Sequence, residues 1–142
     1  MTVAGRPAEP APAAVHGFLH AGILVRDLPR AREFYGRLLG LPEIPRPDLG
    51  FPGAWYGLGA FQLHLIVPPP DRSVGDAAER FAGRVRHLAF RVGGFEPLVE
   101  RLEREGHPFW PAAPAPDGAR RGFTRDPDGN VLELVEAPPA PK

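Results

Sequence analysis

The chain has no cysteine, which removes disulfides, thiolate metal centres and a cysteine nucleophile together. Any metal it binds must be held by nitrogen and oxygen donors. Long hydrophobic runs are also missing: Gly, Pro or a charged residue interrupts each one, well short of the roughly 20 residues that cross a bilayer. Neither sign of charge prevails, since 17 basic residues balance 17 acidic ones. That leaves no global field to attract nucleic acid or an anionic membrane surface. Residues 1–15 lack the apolar block and basic flank of a secretion signal. The expectation is a soluble, cytoplasmic protein whose partners include neither nucleic acid nor membrane.

Proline is abundant, with 20 in 142 residues, and unevenly placed. Residues 1–15 and 137–142 are Pro/Ala-rich with little to bury, and are expected to be disordered tails. The remainder, 16–136, suits one domain with one core.

Within that domain the second half repeats the first. His20-Ala-Gly-Ile-Leu-Val25 reads as a strand, followed by a helix over Leu28–Leu39 with apolar residues at helical spacing and Gly40 as its stop. His87-Leu-Ala-Phe-Arg-Val92 is likewise followed by a helix over Phe95–Glu105 and a stop at Gly106. Extended pieces then follow in each half: near Ile44, at Ala54–Leu58 and at Phe61–Val67 in the first, and at His107–Trp110, Arg120–Arg125 and Val131–Glu136 in the second. The expected fold is α+β, with two βαβββ modules in tandem: module one at 16–68, a linker at 69–84 and module two at 85–136. Ser73–Ala82 in the linker is expected to form a short helix.

The closing strands each carry one polar residue between two leucines, His64 in Gln62-Leu-His-Leu65 and Glu133 in Val131-Leu-Glu-Leu134. His20 and His64 lie 44 residues apart, and His87 and Glu133 lie 46 apart, so four metal-capable side chains fall on two equivalent pairs of positions. Strand alternation puts the leucines under the helices and all four donors on the other face. If each sheet curls, that face is concave, and two such half-cups enclose a cavity. A carboxylate placed as Glu133 is needs a charged partner.

Imidazole and carboxylate suit Zn, Ni, Co, Mn or Fe(II), and an open coordination position marks a catalytic rather than a structural site. Gln62, by parity, and Tyr56, on a neighbouring strand, are expected to line the pocket. Arg91 points by parity into the cavity or towards its rim. The turn Asp126-Pro-Asp-Gly-Asn130 lacks the acids of a calcium loop, and reads as a hairpin with Gly129 and Asn130 at positive φ.

His20-Ala-Gly-Ile-Leu-Val-Arg-Asp-Leu28, Glu33-Phe-Tyr-Gly-Arg-Leu-Leu-Gly-Leu41, Gln62-Leu-His-Leu65, His87-Leu-Ala-Phe-Arg-Val92 and Asp126-Pro-Asp-Gly-Asn-Val-Leu-Glu-Leu134 together resemble the vicinal oxygen chelate superfamily, which includes glyoxalases, epimerases, extradiol dioxygenases, and fosfomycin- and bleomycin-resistance proteins. The resemblance covers about residues 17–136. It implies a homodimer with cavities shared between subunits, and one divalent metal per site on His20, His64, His87 and Glu133. It also implies enolate or oxyanion stabilisation on a small oxygenated substrate, in lyase, isomerase or epimerase fashion, with Glu133 as the base. Glyoxalases and epimerases of the family often carry Gln or Glu where this chain has His64. The competing readings are an Fe(II) extradiol-type dioxygenase, against which a fourth donor argues, and a metal-free drug- or metabolite-binding protein, which would not need four intact donors. No motif indicates glutathione.

Overall fold

The computed structural model describes residues 13–75 and 84–138 together with Gly5 and Ala8. Most of the expected N-terminal tail, the end of the C-terminal tail and residues 76–82 of the expected linker helix lie outside the described residues. Residues 73–75 are not helical.

The elements follow the repeat. Module one contains β1 (His20–Leu24), α1 (Leu28–Arg32) continued by a π-helical segment (Glu33–Leu38), β2 (Glu43–Ile44), β3 (Gly53–Leu58) and β4 (Phe61–Ile66). Module two contains β5 (His87–Val92), α2 (Phe95–Arg104), β6 (Phe109–Pro111), β7 (Arg121–Arg125) and β8 (Val131–Glu136). Each module is a four-stranded mixed sheet, ordered β1-β4-β3-β2 in one and β5-β8-β7-β6 in the other. The first and last strands of each module pair in parallel, and the hairpin strands pair antiparallel.

The registers match residue for residue. His20 stands opposite Gln62 as His87 stands opposite Val131, and Trp55 stands opposite His64 as Phe123 stands opposite Glu133. Ile23 and Val25, Leu63 and Leu65, Phe90 and Val92, and Leu132 and Leu134 all belong to one core shared with the helices. The donors therefore occupy the opposite face, as strand alternation requires.

Asp27 caps α1, its carboxylate accepting from the Arg30 amide at 3.0 Å, and Pro29 fits the first turn, where no amide bond is lost. The first helix departs from the regular α form expected over 28–39. From Glu33 it widens into π geometry, which rotates adjacent Phe34 and Tyr35, together with Leu38, onto the buried side. Gly40 closes it at φ 76°, a left-handed conformation that glycine adopts without steric cost.

The modules are clasped through the β7–β8 turn. Asp126, only 5% exposed, accepts hydrogen bonds from the Tyr35 hydroxyl at 2.7 Å, Asn130 Nδ2 at 2.7 Å, and the amides of Asn130 and Asp128 at 2.8 and 2.9 Å. Burial holds the Tyr35 phenol well above its ordinary pKa, so it keeps its proton and donates; burial also pushes the Asp126 carboxyl up, and the hydrogen bonds it accepts oppose that. Asn130 Nδ2 also reaches the Leu24 carbonyl at 3.0 Å, at the end of β1. Gly129 has the expected positive φ of 89°, but Asn130 does not: it serves through its side-chain amide instead. Tyr35→Phe removes one of the buried carboxylate's donors and is expected to lower stability by about 1–3 kcal/mol, read as a shift in the urea midpoint; an unchanged midpoint would show that the clasp carries no weight.

Candidate metal centre

The four expected donors stand as two pairs. On the first sheet His20, exposed at the start of edge strand β1, stacks on His64 of β4 with ring centroids 4.0 Å apart and planes 16° apart. His64 is 8% exposed and also stacks on Trp55 of β3 at 4.1 Å and 3°. Burial pushes its pKa down, and the nearby His20 and Arg46 add to that. The neutral ring thus favoured is the form that ligates a metal. Gln62 Oε1 lies 2.9 Å from His64 Nε2, which puts Gln62 beside the donors as parity indicates.

On the second sheet His87 opens edge strand β5, and its Nε2 lies 3.3 Å from Glu133 Oε2 on β8. His87 Nδ1 lies 2.7 Å from the Val85 carbonyl. A carbonyl oxygen can only accept, so Nδ1 carries the hydrogen, and in the neutral ring Nε2 presents a lone pair. A lone pair and a carboxylate oxygen facing each other need a positive charge between them, either a proton or a metal ion. A histidine whose far nitrogen donates to a carbonyl is the common arrangement at metal centres. The donor chemistry therefore fits a divalent cation. Among the described residues no three or more His, Asp or Glu side chains gather as a metal site within one chain.

Glu133 has the charged partner its position demands. Arg121 Nη1 donates to Oε1 at 3.0 Å while Arg121 Nε donates to the Ala113 carbonyl at 2.8 Å. Sequence reasoning overlooked Arg121, although its place on β7 opposite Val135 puts it on the face of Glu133. Phe123, whose ring meets His87 edge-on at 5.6 Å, packs with Val131, Trp110 and Ala112 as an apolar floor beneath this pair.

Tyr56 corrects an expectation. It is 1% exposed and belongs to the core under the helices, because it alternates with Trp55 on β3 and Trp55 takes the side of His64. Arg91 is exposed and shares the face of its register partner Val135. A cavity of about 560 Å³ opens beside His87, lined by Gly22 and Leu24 of β1, Leu88 of β5 and Val131 of β8.

Comparison with known proteins agrees with this architecture. The chain is 32% identical to the glutathione transferase FosA of Serratia marcescens over 121 residues, covering 81% of this chain and 77% of that one. It is 28% identical to Glyoxylase I 4 of Arabidopsis thaliana, covering 86% and 71%. The fold superposes on a glyoxalase/dioxygenase from Nostoc punctiforme with TM-score 0.71 at 24% identity, covering 95% of this chain and 100% of that one. The family model for the Glyoxalase/Bleomycin resistance protein/Dioxygenase superfamily matches residues 17–134, and the chain belongs to that superfamily.

Proposed function

We propose that this protein is a metal-dependent enzyme of the glyoxalase type, acting on a small oxygenated substrate by lyase, isomerase or epimerase chemistry. The observation that carries the reading is the 3.3 Å approach of His87 Nε2 to Glu133 Oε2, matched in register by His20 and His64 on the other sheet. Relatives named as a glyoxylase and a glutathione transferase support an enzymatic role.

The two pairs would hold one divalent ion, Zn, Ni, Co, Mn or Fe, when a second copy brings its sheet against the first. Support for a homodimer lies at the edge strands, where Val15, Phe18, Leu19 and Val85 are exposed just ahead of His20 and His87. Apolar side chains concentrated at such a place favour association. When bound, the metal supplies Lewis acidity to a substrate oxygen.

The chain's own groups do the rest. The Val85 carbonyl holds the His87 tautomer, and Arg121 orients Glu133 through Oε1, leaving Oε2 to face the reacting centre. With substrate oxygens taking its place among the donors, Glu133 Oε2 would be the base that takes a proton from the carbon next to the substrate carbonyl. Trp55 and Phe123 back the donors with apolar surface, which keeps water from that side.

Chelator-stripped protein titrated with Zn, Ni, Co, Mn or Fe(II) is expected to bind one ion per site in calorimetry and to catalyse solvent-deuterium incorporation into a 2-hydroxy or 2-oxo compound. Glu133→Gln should lower that exchange about 10²- to 10⁴-fold. Metal-independent ligand binding with no exchange would favour a sequestering protein, and iron-dependent oxygen uptake with a catechol would favour a dioxygenase.

The dimer has its own test. Leu19→Asp is expected to shift the protein from dimer to monomer in sedimentation, with metal affinity falling alongside; a monomeric wild-type protein that binds metal would overturn the shared site.

A further inference from the structure

Two guanidinium groups occupy corresponding places beside the two donor pairs, and they get there by different routes. On the second sheet Arg121 projects from β7 opposite Val135, two residues beyond Glu133. The corresponding position on the first sheet is Gly53, opposite Ile66 and two residues beyond His64. Gly53 has no side chain, and Arg46, from the loop after β2, fills the space: its Nε and Nη2 each lie 3.0 Å from where a Gly53 Cβ would stand.

The two arginines differ in what they hold. Arg121 is committed to Glu133 and Ala113. Arg46 donates through Nη2 to the Phe51 carbonyl at 2.9 Å, and its guanidinium lies 4.9 Å from the Phe51 ring centre. Its Nε is buried with no hydrogen-bond partner. Among the described residues Nη1 has no acceptor, and no carboxylate pairs with the group. A cation partly withdrawn from water and left without an anion is costly, and a guanidinium's fork of N–H donors matches an oxyanion.

We propose that Arg46 is a substrate-binding residue that recognises an oxyanion, a carboxylate or phosphonate, on the molecule bound at the sheet face that carries His64. The substrate class is thereby narrowed to small molecules that carry an anionic oxygen group. The inference rests on the reading above in seating the substrate beside His64, but anion recognition itself needs no metal.

The test uses oxalate and methylphosphonate as probes on the full chain, measured by calorimetry with and without Ni(II). Wild type is expected to bind at least one of the two even when metal-free. Arg46→Met should weaken that binding by about tenfold or more, equivalent to about 1.4 kcal/mol, and Arg46→Lys should restore part of it. Acetohydroxamate, a chelator with no carboxylate or phosphonate, should bind Ni(II)-loaded wild type and Arg46→Met alike, which also shows that the variant is folded. Equal anion affinity in wild type and Arg46→Met, or no anion binding by wild type in either state, would overturn the proposal. Anion binding that depends on Arg46 but is indifferent to Ni(II), with no acetohydroxamate binding, would instead sustain Arg46 and sink the metal reading.

Discussion

The structure depends on the alternation of side chains along β4 and β8. Leu63 and Leu65 in one strand, and Leu132 and Leu134 in the other, are at most 1% exposed, so their burial fixes the face each strand turns to the helices. His64 and Glu133 sit between those leucines and have no choice of side. A slip of one residue would bury a carboxylate against the helices and expose two leucines, a change that costs several kcal/mol by the usual worth of a buried leucine. Because β4 and β8 each have strands on both sides, their register also sets those of the edge histidines.

Duplication supplies equivalent positions, and divergence between the modules supplies different chemistry at them. The first pair is two stacked imidazoles backed by Trp55; the second is an imidazole and a carboxylate backed by Phe123 and steered by Arg121. Where the second module has Arg121, the first has Gly53 with Arg46 folded over it. The Asp126 clasp then fixes one module against the other by tying Tyr35 and the end of β1 to the β7–β8 turn.

Much of this was legible in the sequence, because hydrophobic periodicity and the repeat both report backbone geometry. The βαβββ order follows from the repeat, the core faces follow from alternations such as Leu63, His64 and Leu65, and the same alternation puts His20, His64, His87 and Glu133 on the other face. What escaped the sequence depends on contacts between distant segments. The π-helical turn at Glu33–Leu38 answers to packing around Phe34 and Tyr35. Asp126 looked like an ordinary turn residue because its partner Tyr35 is 91 residues away. Tyr56 was misplaced because an aromatic on β3 can serve either face, and only its alternation with Trp55 decides which. Arg46 could not be found at all from spacing, since it reaches the first sheet from a loop.

In the proposed site, His20 and His64 come from one copy of the chain and His87 and Glu133 from another. Mixed dimers separate the two contributions: one subunit carries His20→Ala with His64→Ala, the other carries His87→Ala with Glu133→Ala, and differently tagged copies are isolated together. Neither parent should bind metal, whereas the mixed dimer should regain one intact site and bind one ion per dimer. A mixed dimer that forms but binds no metal, beside a wild-type dimer that does, would show that the four donors do not meet across two copies.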